Sequence, residues 1–302
     1  MILYAMFAFL LVAVGCGHAQ TYDFRIIDVP FAGAHDTGIT GLSPDGDILG
    51  GYSDREGNLH GFLLRESLHL FQTLLNVSPL GMGKDGAVIG RMLRGVPGDQ
   101  VRGFYLLDGT FRLLAMPPPM VPVPGGGGIT LPGAPPTLTE ALAINQSGII
   151  VGHYRAGRGE GGDGLFHGFA YNVSTQKFTT LDFPGAITTT LTGINDQGRI
   201  VGFAIHPDET VHALSGDSTA LTEIALPGGV HGQFAGIAED ILVGKLTDTD
   251  QAFVLRQGVL TLVAVPSATQ TRLAGVRKDG VLYGSFVGSD GARHGFVATP
   301  RP

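Results

Sequence analysis

One phrase recurs six times along this chain, and its spacing constrains the fold more than any other feature. It reads Gly, apolar residue, polar turn, Gly, two apolar residues, Gly. The copies are GLSPDGDILGGY from Gly41, GMGKDGAVIGRM from Gly81, AINQSGIIVGHY from Ala143, GINDQGRIVGFA from Gly193, GIAEDILVGKL from Gly236 and GVRKDGVLYGSF from Gly275. The glycine after the apolar pair falls at Gly50, Gly90, Gly152, Gly202, Gly244 and Gly284, at intervals of 40, 62, 50, 42 and 40 residues. Short strands repeating at this period are the signature of propeller blades, units that bury their apolar faces only against neighbouring copies.

Each phrase is followed by a second signature: HGFLL at His60, RGFYL at Arg102, HGFAY at His167, VHALS at Val211, QAFVL at Gln251 and HGFVA at His294. This reads as a third strand. A fourth follows as FQTLLNV, FRLLAM, FTTLDFP, LTEIALP and LTLVAVP, and for the sixth unit as the N-terminal FRIIDVP from Phe24. Asp-Gly, Ser-Gly or Gln-Gly between the first two strands supplies the positive φ that a tight hairpin needs. The expected fold is therefore all-β: a six-bladed β-propeller with four antiparallel strands per blade. Its blades cover about 37–76, 77–115, 137–183, 189–226, 232–265, and 271–298 plus 23–29, in a single domain over 20–302. Pairing of the N-terminal strand with the C-terminal blade would close the ring and remove its last open edge.

The GINDQGRIVGF phrase at Gly193, the HGF triplets and the LDFPGA segment at Leu181 resemble the extracellular HAF repeat, named for a His-Ala-Phe triplet. The resemblance covers about the whole mature chain. It implies a propeller in an exported bacterial protein and brings no catalytic residues. The chain departs from the pattern at Arg102, which replaces His in the second unit, and at Glu239–Asp240, where the fifth unit lacks its turn glycine. These two blades are expected to be the least regular.

Residues 1–14, MILYAMFAFLLVAV, carry no charge and are too few to span a bilayer, as in the apolar region of a signal peptide. Gly17 and Ala19 suit a cut before Gln20, so 1–19 reads as a signal peptide and the mature protein as secreted or periplasmic. The alternative is a lipoprotein box ending at Cys16, which would anchor the chain to the outer membrane. With Cys16 removed no thiol remains, which excludes disulfides and thiolate metal sites. Residues 116–136, rich in Pro and Gly, are expected to form an extended flap without ladder pairing. RAGRGEGGDG from Arg155 lengthens another loop on the same face.

The formal charge of −7 has the wrong sign for a phosphate backbone, so nucleic acid is not an expected partner. No transmembrane segment is expected, and the protein reads as a monomer. No HExxH, GxSxG or phosphate-loop motif occurs, and no metal or cofactor is expected. His60, His167 and His294 open third strands in different blades, and a hydrogen bond from each to a neighbouring loop explains them better than a shared metal. The loop-rich face offers candidates three positions before each phrase, among them Glu140, Thr190, Gln233 and Arg272, with His35 and His231 above them. Glu140, Arg272, His35 and His231 would also supply acid and base groups to an enzyme. The opposite face, made of tight turns, reads as inert. The leading function is an exported module that binds a small polar ligand, glycan or protein at the channel mouth. An extracellular lyase or hydrolase acting on a sugar, lactone or peptide is the alternative, and a structural surface repeat a second one. The chain has no Trp and seven Tyr, which disfavours stacking on sugar rings.

Overall fold

The computed structural model describes residues 20–65, 70–74, 77–83, 85–92, 101–114, 116–118, 120–122, 130–132, 135–159 and 162–301. The expected signal segment, with Cys16, lies outside them. Among the described residues no helix is long and apolar enough to cross a membrane.

Every phrase folds as a hairpin, because its polar turn separates two runs whose alternate residues are apolar. The inner strands of units 1 to 6 are His35–Leu42, Val77–Met82, Leu138–Ile144, Thr188–Ile194, Gly232–Ala238 and Gln270–Val276. The second strands are Ile48–Ser53, Val88–Met92, Ile149–Arg155, Ile200–Ile205, Ile241–Leu246 and Leu282–Val287. Third strands follow at Leu59–Arg65, Gly103–Leu107, Phe166–Asn172, Val211–Gly216, Ala252–Arg256 and Arg293–Pro300. Outer strands are Leu70–Leu74, Thr110–Leu114, Lys177–Thr180, Leu221–Glu223 and Val259–Val263. In the sixth unit Tyr22–Ile27 takes the outer place, pairing antiparallel with Arg293–Pro300 from Tyr22↔Pro300 to Ile27↔Gly295.

Where six separate blades are expected, four stand as separate four-stranded sheets. Units 3 and 4 share one eight-stranded sheet, because the third strand of unit 3 starts beside the inner strand of unit 4 and Phe166 bridges in parallel to Thr188. Each inner strand contacts the next, and that of unit 6 contacts those of units 5 and 1.

The core lies between units. Phe62, Phe104, Phe169, Phe253 and Phe296, each from a third-strand signature, are fully enclosed. Unit 4 has Leu214 in that position, opposite Gly202 as Phe62 is opposite Gly50, and it is equally enclosed. Burying a phenyl ring contributes about 1.5–3 kcal/mol, so these rings are major contributors to the packing of unit on unit.

All six inner strands bulge at the same place. The register slips around Thr40, Leu80, Leu142, Thr192, Ala235 and Ala274. An extra residue on one strand of a pair bends that strand and disturbs the ladder. Beside each bulge an inner-strand carbonyl crowds the glycine that ends the phrase. A Cβ on Gly152 would lie 1.9 Å from the Glu140 oxygen, and one on Gly284 would lie 2.0 Å from the Arg272 oxygen. Close approach of backbone to backbone accounts for all six glycines.

Two expectations are corrected. The fifth unit has all four strands paired, with the same single bulge as the others, because Glu239 takes a positive φ of 52° in the shortened turn and so replaces the missing glycine. The Pro/Gly-rich segment does contain a ladder, Met120–Pro122 against Thr130–Pro132. Pro122 and Pro132 end their strands, where a missing N–H costs no central ladder bond. A second small ladder, Arg158–Gly159 with Gly162–Asp163, forms in the other insertion. Thr137 N donates to the Arg155 carbonyl at 3.0 Å, bringing the end of one insertion to the start of the other.

Candidate functional site

The six bulge residues line one cavity of about 500 Å³ at the centre of the molecule. Two positions further along each inner strand, Leu42, Met82, Ile144, Ile194, Ile237 and Val276 form a second aliphatic ring around it. The cavity opens between the hairpin turns, where Asp196, Glu239, Asp279, Arg277 and Lys278 stand at its rim. The face of tight turns, expected to be inert, therefore carries the mouth of the channel cavity. A bulge at the same register in six inner strands turns six side chains to the axis, and a single strand pattern gives no sign of this.

The rim is braced from turn to turn. Gln146 donates to Asp196 at 2.5 Å and Gln197 to Glu239 at 2.6 Å, while Asn195 donates to the Glu239 carbonyl at 3.0 Å. Arg277 grips Asp279 through Nε at 2.9 Å and Nη2 at 2.6 Å, and reaches the Ser43 carbonyl at 3.2 Å. These contacts occupy the rim carboxylates. The wall differs at one point: where units 1 to 5 have Leu49, Ile89, Val151, Val201 and Val243, unit 6 has Tyr283. Its phenol lies under Gly275, whose Cβ would fall 2.2 Å from the hydroxyl oxygen, and the residue lines the cavity. Burial alone pushes this phenol up to about 12.

None of the residues singled out on the loop-rich face lines this cavity. Glu140 is buried and ion-paired to Arg91, with His153 Nε2 at 3.3 Å from its second oxygen. Arg91 Nε and His153 Nδ1 are enclosed without a hydrogen-bond partner among the described residues. Burial holds the His153 imidazole below its ordinary pKa. Arg272 stands 3.9 Å from Asp250, which Lys245 also holds at 2.5 Å. His35 bonds Asp36 at 2.7 Å, and His231 is exposed. Thr190 is buried opposite Phe203, and Gln233 pairs in register with Lys245. The structure thus joins Glu140 to Arg91 and His153, and gives Arg272 and His35 separate partners.

The third-strand histidines tie sheets to loops. His60 Nε2 meets Asp54 at 2.8 Å. His167 lies between Asp182 at 2.8 Å and Asp163 at 3.1 Å, and His294 between Asp28 at 2.9 Å and Asp290 at 3.1 Å. Among the described residues no group of three or more His, Cys, Asp or Glu is placed to hold a metal ion. The repeat itself signals this clasp. Asp28 and Asp182 precede the last apolar-Pro pair in units 6 and 3; units 2 and 5, without the histidine, have Ala115 and Ala264 there, and unit 4, whose His212 holds the same third-strand place, has Ala225 there, with Glu223 at 2.9 Å from the ring instead.

Two flanking carboxylates require both His167 nitrogens to donate, so the ring is held as an imidazolium. The Asp182 hydrogen bond, with help from Asp163, raises its pKa to about 9. Because this exceeds the unfolded value of about 6.5, the stabilisation is full below pH 6.5 and is lost as pH rises through 9. His167→Asn is therefore expected to lower the melting temperature most near pH 6, with the difference from the parent narrowing as pH rises through 9. A pH-independent difference in thermal melts would show that the ring acts only by packing.

No family model matches the chain, and no curated protein does. Among solved structures, the β-propeller domain of the Trilobed protease from Pyrococcus furiosus, of open velcro topology, is similar over 88% of this chain and 79% of that one, with a TM-score of 0.51 and 11% identity. The fold is a β-propeller. A fucose-specific lectin from Aleuria aurantia matches 90% of this propeller and 96% of its own chain at 12% identity and a TM-score of 0.48. Virginiamycin B lyase from Staphylococcus aureus matches 92% and 99% at 11% identity and a TM-score of 0.43. Identities this low speak to fold alone.

Proposed function

We propose that the protein is an exported binding module, a closed ring of six four-stranded blades that holds a small ligand in its central channel. The observation that carries this reading is the cavity built from the same two positions of all six inner strands. Its volume falls within the roughly 300–1,000 Å³ of ligand sites, and its aliphatic wall with a polar rim is the usual composition of one. Unbroken contact around the inner strands supports the ring, with units 3 and 4 counted as two blades that share a bridge. Pairing of Tyr22–Ile27 with the last strand supports its closure. Affiliation with the HAF repeat rests on the phrases and triplets, and export on the N-terminal sequence.

The test is a ligand screen by thermal shift followed by Ala274→Trp, which fills the channel from an exposed wall position. Binding should fall more than 10-fold in this variant while the fold melts cooperatively, and Arg272→Ala and His231→Ala should bind as the parent does. The opposite pattern would move the site to the loop-rich face. A specific observation favours a second reading there, an enzyme site around Glu140: two enclosed nitrogens, Arg91 Nε and His153 Nδ1, stand beside its carboxylate without partners. Turnover of an extracellular lactone, sugar or peptide that Glu140→Gln abolishes would establish that reading.

A further inference from the structure

The channel wall also limits what chemistry it accepts. Twelve wall positions in two rings contribute ten aliphatic side chains and two threonines. The threonine hydroxyls are engaged: Thr40 Oγ1 donates to the Pro79 carbonyl at 3.0 Å and Thr192 Oγ1 to the Phe234 carbonyl at 2.8 Å, each clasping the next inner strand. The Tyr283 hydroxyl remains, with no hydrogen-bond partner among the described residues. A phenol left unpaired beside a cavity loses the bond it would make in water, and a ligand oxygen that reaches it restores that bond. Among the described residues the wall offers no aromatic platform apart from this ring, which argues against a sugar stacked in the channel. No described residue places a cation or carboxylate at the depth of the bulge ring, so an ion placed there would be desolvated without compensation.

The geometry points to an uncharged, mostly aliphatic molecule as the occupant, carrying one oxygen that hydrogen-bonds to the Tyr283 hydroxyl. This rests on the channel as the binding site and adds its ligand class. The unit-6 departure from the repeat then has a function: five units supply a greasy wall and one supplies the single polar contact that orients the ligand. Gly275 belongs to the same device, since any side chain there would occupy the space of the phenol.

The experiment titrates the mature protein calorimetrically with three probes: decan-1-ol, sodium decanoate and a methyl hexoside. Decan-1-ol should bind, at least 10-fold more tightly than decanoate, with no heat from the hexoside. Tyr283→Phe removes only the hydroxyl and should weaken decan-1-ol about 3- to 10-fold, the range set by one neutral hydrogen bond. Ala274→Trp should abolish binding. Tyr283→Phe binding decan-1-ol as tightly as the parent would overturn the oxygen contact. Preference for decanoate, lost in Lys278→Ala, would show an anionic ligand held at the rim, and hexoside binding blocked by Ala274→Trp would show a sugar; either result overturns the ligand class and leaves the channel standing. Decan-1-ol bound equally well by Ala274→Trp would overturn the channel as the site. No binding of decan-1-ol by the parent overturns the inference.

Discussion

Deleting Tyr22–Ile27 is expected to abolish cooperative thermal unfolding and to make the protein aggregate. The strand makes six register pairs with Arg293–Pro300, so its loss strips one whole side of the last blade. It carries more than backbone. Phe24 meets Phe296 edge-on at 5.6 Å, Tyr22 packs on Phe24 at 6.5 Å, and Ile27 is buried among Ile39, Phe62 and Val297. Removing one large buried side chain costs about 2–5 kcal/mol, and each lost hydrogen bond about 1 kcal/mol more. Set against a typical total of about 5–15 kcal/mol, that loss brings the folded state close to its limit. What remains would expose an unpaired apolar edge, a template for pairing between copies. Circular dichroism melts and light scattering read both effects, and a peptide of residues 20–30 added in trans should partly restore the transition. A deleted protein that melts cooperatively at the parental temperature would show that the sixth unit is stable with three strands.

Strand order was legible because it is written in the repeat. The polar turn, the aromatic triplet and the terminal Pro recur with the period of the blade, and periodicity of this kind survives the loss of any one residue, as Leu214 and Glu239 show. The tethering role of His60, His167 and His294 was legible for the same reason, since residues at one repeat position in different blades do not meet. The channel cavity was not. It depends on a β-bulge that shifts register by one residue, and apolar runs such as Ile-Thr-Gly-Leu and Leu-Ala-Gly-Val do not reveal which residue is the extra one. Nor was the Glu140 group, because Arg91 reaches it from a different blade, 49 positions away in the chain. The rim reads as solvated turn chemistry in sequence, and its bracing contacts, Gln146 to Asp196 and Gln197 to Glu239, join neighbouring units. The unreadable features are those made between blades, where sequence separation carries no information about distance.

The bulge also yields the sharpest mutational contrast in the chain, between two adjacent glycines. A Cβ on Gly50 would lie 2.3 Å from the Gly38 carbonyl oxygen, far inside van der Waals contact, whereas one on Gly51 would meet only the His60 oxygen at 3.4 Å. Gly50 closes the phrase; Gly51 is the free position that follows it. Neither needs a positive φ, so the difference is one of space alone. The nearest obstacle at Gly50 is backbone, with the enclosed Phe62 ring next at 2.6 Å, and that backbone is held, since Gly38 pairs with Gly51 and Gly50 with Phe62. Gly50→Ala must therefore push the inner strand off its partner, an overpacking cost of about 3 kcal/mol or more. Gly152→Ala, at 1.9 Å from the Glu140 oxygen, should cost at least as much and should displace Glu140 from Arg91 and His153. Gly51→Ala should change stability by no more than about 1 kcal/mol, because added strand preference offsets the light contact. Urea unfolding of the three variants measures these differences directly. Equal stability of Gly50→Ala and Gly51→Ala would mean that the inner strand moves freely, and the close approach at the bulge would no longer account for the six phrase-ending glycines.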